Sequence, residues 1–209
     1  MKLRGVQRLI SRYVAPSFPE LQLSRDLLVR WDGDPIVRGF VFDRSQMNND
    51  IVRLDAFAQP LFVPVEYVSL GVAKTLGDFL FDDRANEPEV TAQMLARAER
   101  EGRLFLETVS DCASLADTVL KMPGDRIDPR LGGEIRAYCL LWTGRTDAAI
   151  AQLDDLIEQL RDFQVEYELE LLDRVKRVRQ ALERSEDEAR ELLRSWSAQT
   201  AKALGLEPR

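Results

Sequence analysis

The residues with the most chemical capacity are acidic pairs. Asp32 and Asp34 form a D-x-D, and Asp82 and Asp83 are followed by Glu87 and Glu89. Clustered carboxylates can hold a hard divalent cation through oxygen, or raise one another's pKa for acid–base work. Each pair also has a plainer explanation. Asp32-Gly33-Asp34-Pro35 is turn chemistry between two strand-like segments, and the 82–89 run reads as a solvated loop with Glu89 favouring the next helix's N-terminus. Beyond carboxylates the repertoire is thin. The chain contains no histidine, which removes imidazole relays and every metal site that needs an imidazole. Its two cysteines, Cys112 and Cys139, lie in no C-x-x-C pair, so neither a disulfide framework nor a zinc ribbon is expected. The glycines are scattered, with no phosphate-cradling loop and no nucleophile elbow. Of five lysines, Lys74 reads as a surface residue in mid-helix. No cofactor is expected.

Composition bounds the class. The 209 residues are 45% hydrophobic and 31% charged, as in soluble globular proteins. The formal charge is −7, with residues 1–60 at +2 and residues 61–209 at −9. Such a field repels phosphate backbones, so no nucleic-acid partner is expected. No apolar run is long enough to span a membrane, and Arg8 and Arg12 interrupt any signal-peptide core. Few cysteines fit a reducing cytoplasm, while the Arg-rich, acid-free start has the composition of a transit peptide as its alternative. The heavy use of Arg over Lys points to a GC-rich, bacterial source.

These residues must be positioned by an α+β framework. Val6, Leu9, Ile10, Tyr13 and Val14 share one face of a first helix, with Arg4, Arg8 and Arg12 in a row opposite and Pro16 ending it. Leu21 to Trp31 and Ile36 to Asp43 read as a hairpin, and 51–60 alternates as a third strand. The prediction is therefore an N-terminal helix with a three-stranded antiparallel sheet at about 21–60. Helices are expected after Pro64, the first carried by Val65, Val68, Val72, Leu76 and Phe79 at spacings of three and four. Glu89 to Glu101 comes next, with Gly102 as a left-handed cap. A short helix runs from Cys112 to Leu120, and Met122 to Arg130 is the linker. The remainder is helical: Leu131 to Thr143, Asp147 to Leu160, Val165 to Arg184, and Glu186 to Ala203, the last with Ser185 and Glu188 as a capping box and Gly205 as terminator. Two regions result, 1–122 and 131–209, expected to pack as one body. Glu170 with Arg174, Asp173 with Arg177 and Glu186 with Arg190 are spaced as helix-surface ion pairs.

Ala137 to Leu160, AYCLLWTGRTDAAIAQLDDLIEQL, resembles the inner part of a tetratricopeptide repeat. Ala137 and Tyr138 stand late in one helix, Gly144 at the turn, Asp147 at the next helix start, Ala149 and Ile150 at the close contact, and Leu153 and Leu156 on the packing face. The resemblance implies an antiparallel helical hairpin with a peptide groove. The pattern RGFVFDRS…DAFAQPLFVPVEYVSL resembles a bacterial protein family of unknown function with a QPL-aromatic-VP turn from strand to helix, and implies no activity.

Aromatic residues can anchor a partner. Trp31 stands at a strand end, Trp196 continues a core stripe, and Tyr138 and Trp142 share no single stripe, so either both pack in the core or one of them faces a groove. Tyr138, Trp142 and Arg145 are the predicted binding residues. The function so read is a cytoplasmic, non-enzymatic protein-binding or adaptor module, with an immunity-type inhibitor as one form, since an acidic surface can occlude a basic active site. Its partner is a protein or a peptide; a third reading is self-association, through an uncovered strand edge or the terminal helices. The alternative is a carboxylate-dependent, divalent-metal enzyme around Asp82 and Asp83.

Overall fold

A computed structural model of the chain describes residues 7–24, 27–45, 48, 50–65, 67–81, 86–124, 127–162 and 165–206. It shows an α+β fold whose sheet has five strands in the order β1-β2-β3-β4-β5, two more than the sequence suggests. The strands are β1 (Gln22–Ser24), β2 (Leu27–Arg30), β3 (Ile36–Arg44), β4 (Ile51–Pro60) and β5 (Ala73–Leu80).

Both additional strands have a physical origin. The segment 21–31 folds back on itself, so β1 pairs antiparallel with β2, Leu23 facing Leu28. The larger correction concerns 65–81, which forms no helix among its described residues. Residues 67–72 are irregular and 73–80 is the edge strand β5. Its register on β4 shifts between Leu54, which faces Gly77, and Asp55, which faces Thr75, leaving Leu76 as the extra residue of a bulge. A bulge breaks the alternation of a strand. The buried side chains therefore fall at Leu76 and Phe79, three apart, and imitate a helical repeat. Lys74 accordingly sits on a strand.

The chain forms two units, one from Met1–Gln59, Ala73–Thr108 and Gly205–Arg209, the other from Pro60–Val72 and Val109–Leu204. Relative to 1–122 and 131–209, residues 60–72 and 109–122 fall in the second unit and 205–209 in the first.

In the first unit α1 runs over residues 7–14 and finishes in a π-helical turn, Ile10–Val14, then a 3-10 turn, Ala15–Ser17. Pro16 thus lies inside the helical path. Helix α2 (Glu87–Arg97) widens into a π turn at Ala98–Gly102 and continues as α3 (Arg103–Thr108). Gly102 is no cap; it lies inside this path. A Cβ there would sit 2.4 Å from Phe40 Cε1 and 3.0 Å from Leu76 Cδ1, so its role is close approach. Leu9, Ile10 and Val14 of α1 and Met94 and Ala98 of the second helical path share one core with Phe40, Phe42, Val52, Leu54, Leu76 and Phe79.

The second unit holds α4 (Cys112–Lys121), α5 (Pro129–Trp142), α6 (Thr146–Gln159), α7 (Glu166–Arg184) and α8 (Glu186–Ala203). Sequence signals mark their ends. Asp111 accepts from the Ser114 N–H at 2.8 Å while its own N–H donates to the Ser114 hydroxyl at 3.0 Å, a reciprocal cap. Asp128 caps α5, whose first residue is Pro129, and the Ser185 hydroxyl accepts from Glu188 N–H at 3.1 Å. Gly144 and Gly205 adopt φ of +78° and +67°, the left-handed region that ends helices. Among the described residues no helix is long and apolar enough to cross a membrane.

Candidate functional site

A cleft of about 540 Å³ opens in the first unit, with residues 76–80 of β5 on one side and Val90, Gln93, Ala96, Arg97 and Arg100 of the second helical path on the other. Its strand wall is set by the sheet. Phe81 N–H donates to the Asp50 carbonyl at 2.7 Å, in the register where Ile51 faces Leu80. In an antiparallel ladder this makes Ile51–Leu80 and Arg53–Asp78 non-hydrogen-bonded pairs. The main-chain N–H and C=O groups of Asp78 and Leu80 therefore turn away from β4. As β5 ends the sheet, no strand among the described residues meets them.

The helical wall is cationic. Arg97 Nη1 and Arg100 Nη2 reach the Glu101 carboxylate at 3.1 and 3.0 Å, and Lys74 Nζ reaches it from β5 at 3.4 Å. Three cations share one anion. The Arg100 guanidinium, with help from Arg97 and Lys74, holds the Glu101 carboxyl below its usual range against a desolvation penalty. Glu101 thus stays charged, and positive charge remains in excess. In a chain with net charge −7, this reverses the local sign.

The predicted binding residues separate. Tyr138 is completely buried, its ring 5.8 Å from that of Phe62 and 6.0 Å from that of Trp196. It offers no surface to a partner. Trp142 is half-buried under the Arg194 guanidinium, 5.7 Å from the ring centroid. Arg145 is exposed, and its N–H donates to the Leu140 carbonyl in the turn before α6. Trp196 belongs to the core, and Trp31 donates from its indole to the Asp34 carbonyl at 2.6 Å. Asp32 accepts from Arg30, and Gly33 has φ +84°, as a tight turn requires.

Asp82, Asp83 and Arg4 lie outside the described residues. Of the arginine row, Arg8 meets Glu87 of α2 at 3.6 Å and Arg12 stacks over Tyr13. Among the described residues, no group of three or more Asp, Glu or Cys side chains could hold a metal ion.

A second polar arrangement escapes sequence reading. Glu134, fully buried in α5, accepts from Arg174 of α7 at both oxygens, 2.7 and 3.0 Å, and from the Tyr138 hydroxyl at 3.1 Å. Arg174 therefore pairs with Glu134 and not with Glu170. Burial opposes its charge, yet the Glu134 carboxylate prevails and raises its pKa. Burial, and then the Glu134 charge, push the Tyr138 phenol well above its usual pKa. Arg130 spans Asp128 and Glu168 nearby. With both Glu134 oxygens bonded inside the bundle, Glu134 and Arg174 act as a structural lock. No family model, no curated protein and no solved structure matches this chain.

Proposed function

We propose that the chain is a non-enzymatic protein-binding module whose partner docks in the cleft between β5 and α2. One observation carries this reading: outward-facing main-chain groups of Asp78 and Leu80 border an open cleft with a cationic far wall. Edge strands present a row of donors and acceptors that template another strand. The wall opposite supplies charge and apolar surface for side chains of such a strand. Chemistry of this kind recognises and holds; none of its groups stands as a nucleophile beside a base.

Affinity capture with the full chain from its own host, run beside the Arg100→Glu variant, tests the reading. A partner retained by the wild type and lost by the variant, with melting temperature unchanged, is the expected result. The same set of proteins on both baits would place the docking surface elsewhere.

A further inference from the structure

We infer that the occupant of this cleft is an acidic segment in extended conformation, added to β5 as a sixth strand. The inference rests on the reading of the cleft as a docking site and names the partner's chemistry.

Two independent features specify the occupant. The first is geometric. A strand laid antiparallel or parallel on β5 would bond to the outward N–H and C=O groups of Leu80 and Asp78, and eight residues would match the full length of β5. The pleat then sends alternate side chains of the incoming strand to the face covered by α2. On that face stand Leu76 and Phe79, and beyond them Arg97 and Arg100.

The second is electrostatic. Arg97 and Arg100 are three residues apart on the helical path, about 5 Å along its axis. Alternate residues of a strand are about 7 Å apart, so two carboxylates at positions i and i+2 can each reach one guanidinium. Both arginine side chains are at least half exposed, at 50% and 70%, and their shared anion Glu101 leaves donors spare. The competing carboxylate, Asp78, is exposed and alternates with the inward Phe79, which turns its side chain to the sheet's other face. A basic segment would meet like charge at the helical wall. A neutral one would leave the excess cations unmatched.

Three fluorescent eight-residue peptides, alternating valine with glutamate, with lysine or with serine, are titrated against the full chain by polarisation, and amide shifts are followed by NMR. The glutamate peptide is expected to bind most tightly, to shift the Asp78 and Leu80 amides, and to weaken about tenfold in Arg97→Glu/Arg100→Glu, as two charge pairs are reversed. Equal binding of the serine and glutamate peptides, with β5 shifts, would remove the acidic preference and leave the docking site standing. If no peptide binds wild-type protein, both ideas fall. The two exposed arginines are peripheral to the core, and a melting curve verifies that the double variant folds. A second variant, Leu80→Pro, removes one outward donor at an edge position where proline is tolerated and should weaken all bound peptides alike.

Discussion

Arg174 on α7 lays its Nε and Nη2 on the two oxygens of Glu134 on α5, 2.7 and 3.0 Å away, across 40 residues of sequence. Glu134 is sealed from solvent, and Arg174 keeps 14% of its side chain exposed. Removing one member of a buried pair strands the other's charge, whereas removing both charges need not. Arg174→Met is therefore expected to cost about 3–5 kcal/mol in urea unfolding. Glu134→Gln/Arg174→Met should recover most of that loss, because the amide still accepts from Tyr138. A double variant no more stable than the single would show that desolvated charge is not the cause.

The pH limits of stability have identifiable sources. Asp111 is held below its usual pKa chiefly by the Ser114 N–H, and Asp128 chiefly by the Arg130 guanidinium. Depressed carboxyl groups stabilise the fold above their unfolded pKa, about 3.9, and the contribution disappears as pH falls through the folded values. Tyr138 and Cys139 are raised, each by burial first. Their contribution is complete below their unfolded values and is lost as pH climbs, starting at about pH 9 for the thiol and about pH 10 for the phenol. Thermal melts across pH should fall at both ends, with Tyr138→Phe flattening the alkaline limb and Asp128→Asn the acid one.

Gly102→Ala should destabilise the first unit even though alanine favours helices. The new methyl meets Phe40 Cε1 and Cζ at 2.4 and 2.9 Å, an overpacking cost of about 1–3 kcal/mol. Thermal unfolding measures it, and Phe40→Leu in the same chain should restore part of the loss. A neutral Gly102→Ala would mean that the ring yields freely.

Cys112 and Cys139 are both buried and free, with Cys139 further protected by a raised pKa. Thiolate is the reactive form. Titration with an aromatic disulfide reagent should find neither thiol at neutral pH in native protein and both in denaturant. Rapid native labelling would indicate that the end of α4 opens.

The helical unit is legible in its sequence because its signals are local. Asp111 and Ser185 cap, Gly144 and Gly205 terminate, and Leu153 with Leu156 mark a packing face; Asp128 and Pro129, expected in the linker 122–130, instead cap and open α5. The first unit is less so. Strand β5 carries its buried residues at a helical interval because the bulge at Leu76 changes the phase, and its one local mark, Gly77 at φ +143°, signals a bulge only once the segment is read as a strand. Likewise Arg174 has an acceptable partner four residues away in Glu170, while its actual one lies on another helix. The candidate cleft is invisible for the same reason: Lys74, Arg97 and Arg100 converge only after β5 is known to be a strand.

The wide turn Ala98–Gly102 carries one residue more than an α turn, and each added residue rotates the downstream helix by about 100°. Upstream, Met94 meets the core; downstream, Arg103 reaches Glu20 at 2.9 Å and the Ser17 carbonyl at 3.2 Å, while Arg38 donates to the Leu106 carbonyl at 3.1 Å. The extra residue is a phase shifter that lets two half-helices keep separate appointments. A descendant that deleted a single codon here would have to rewrite every contact on one side of the deletion.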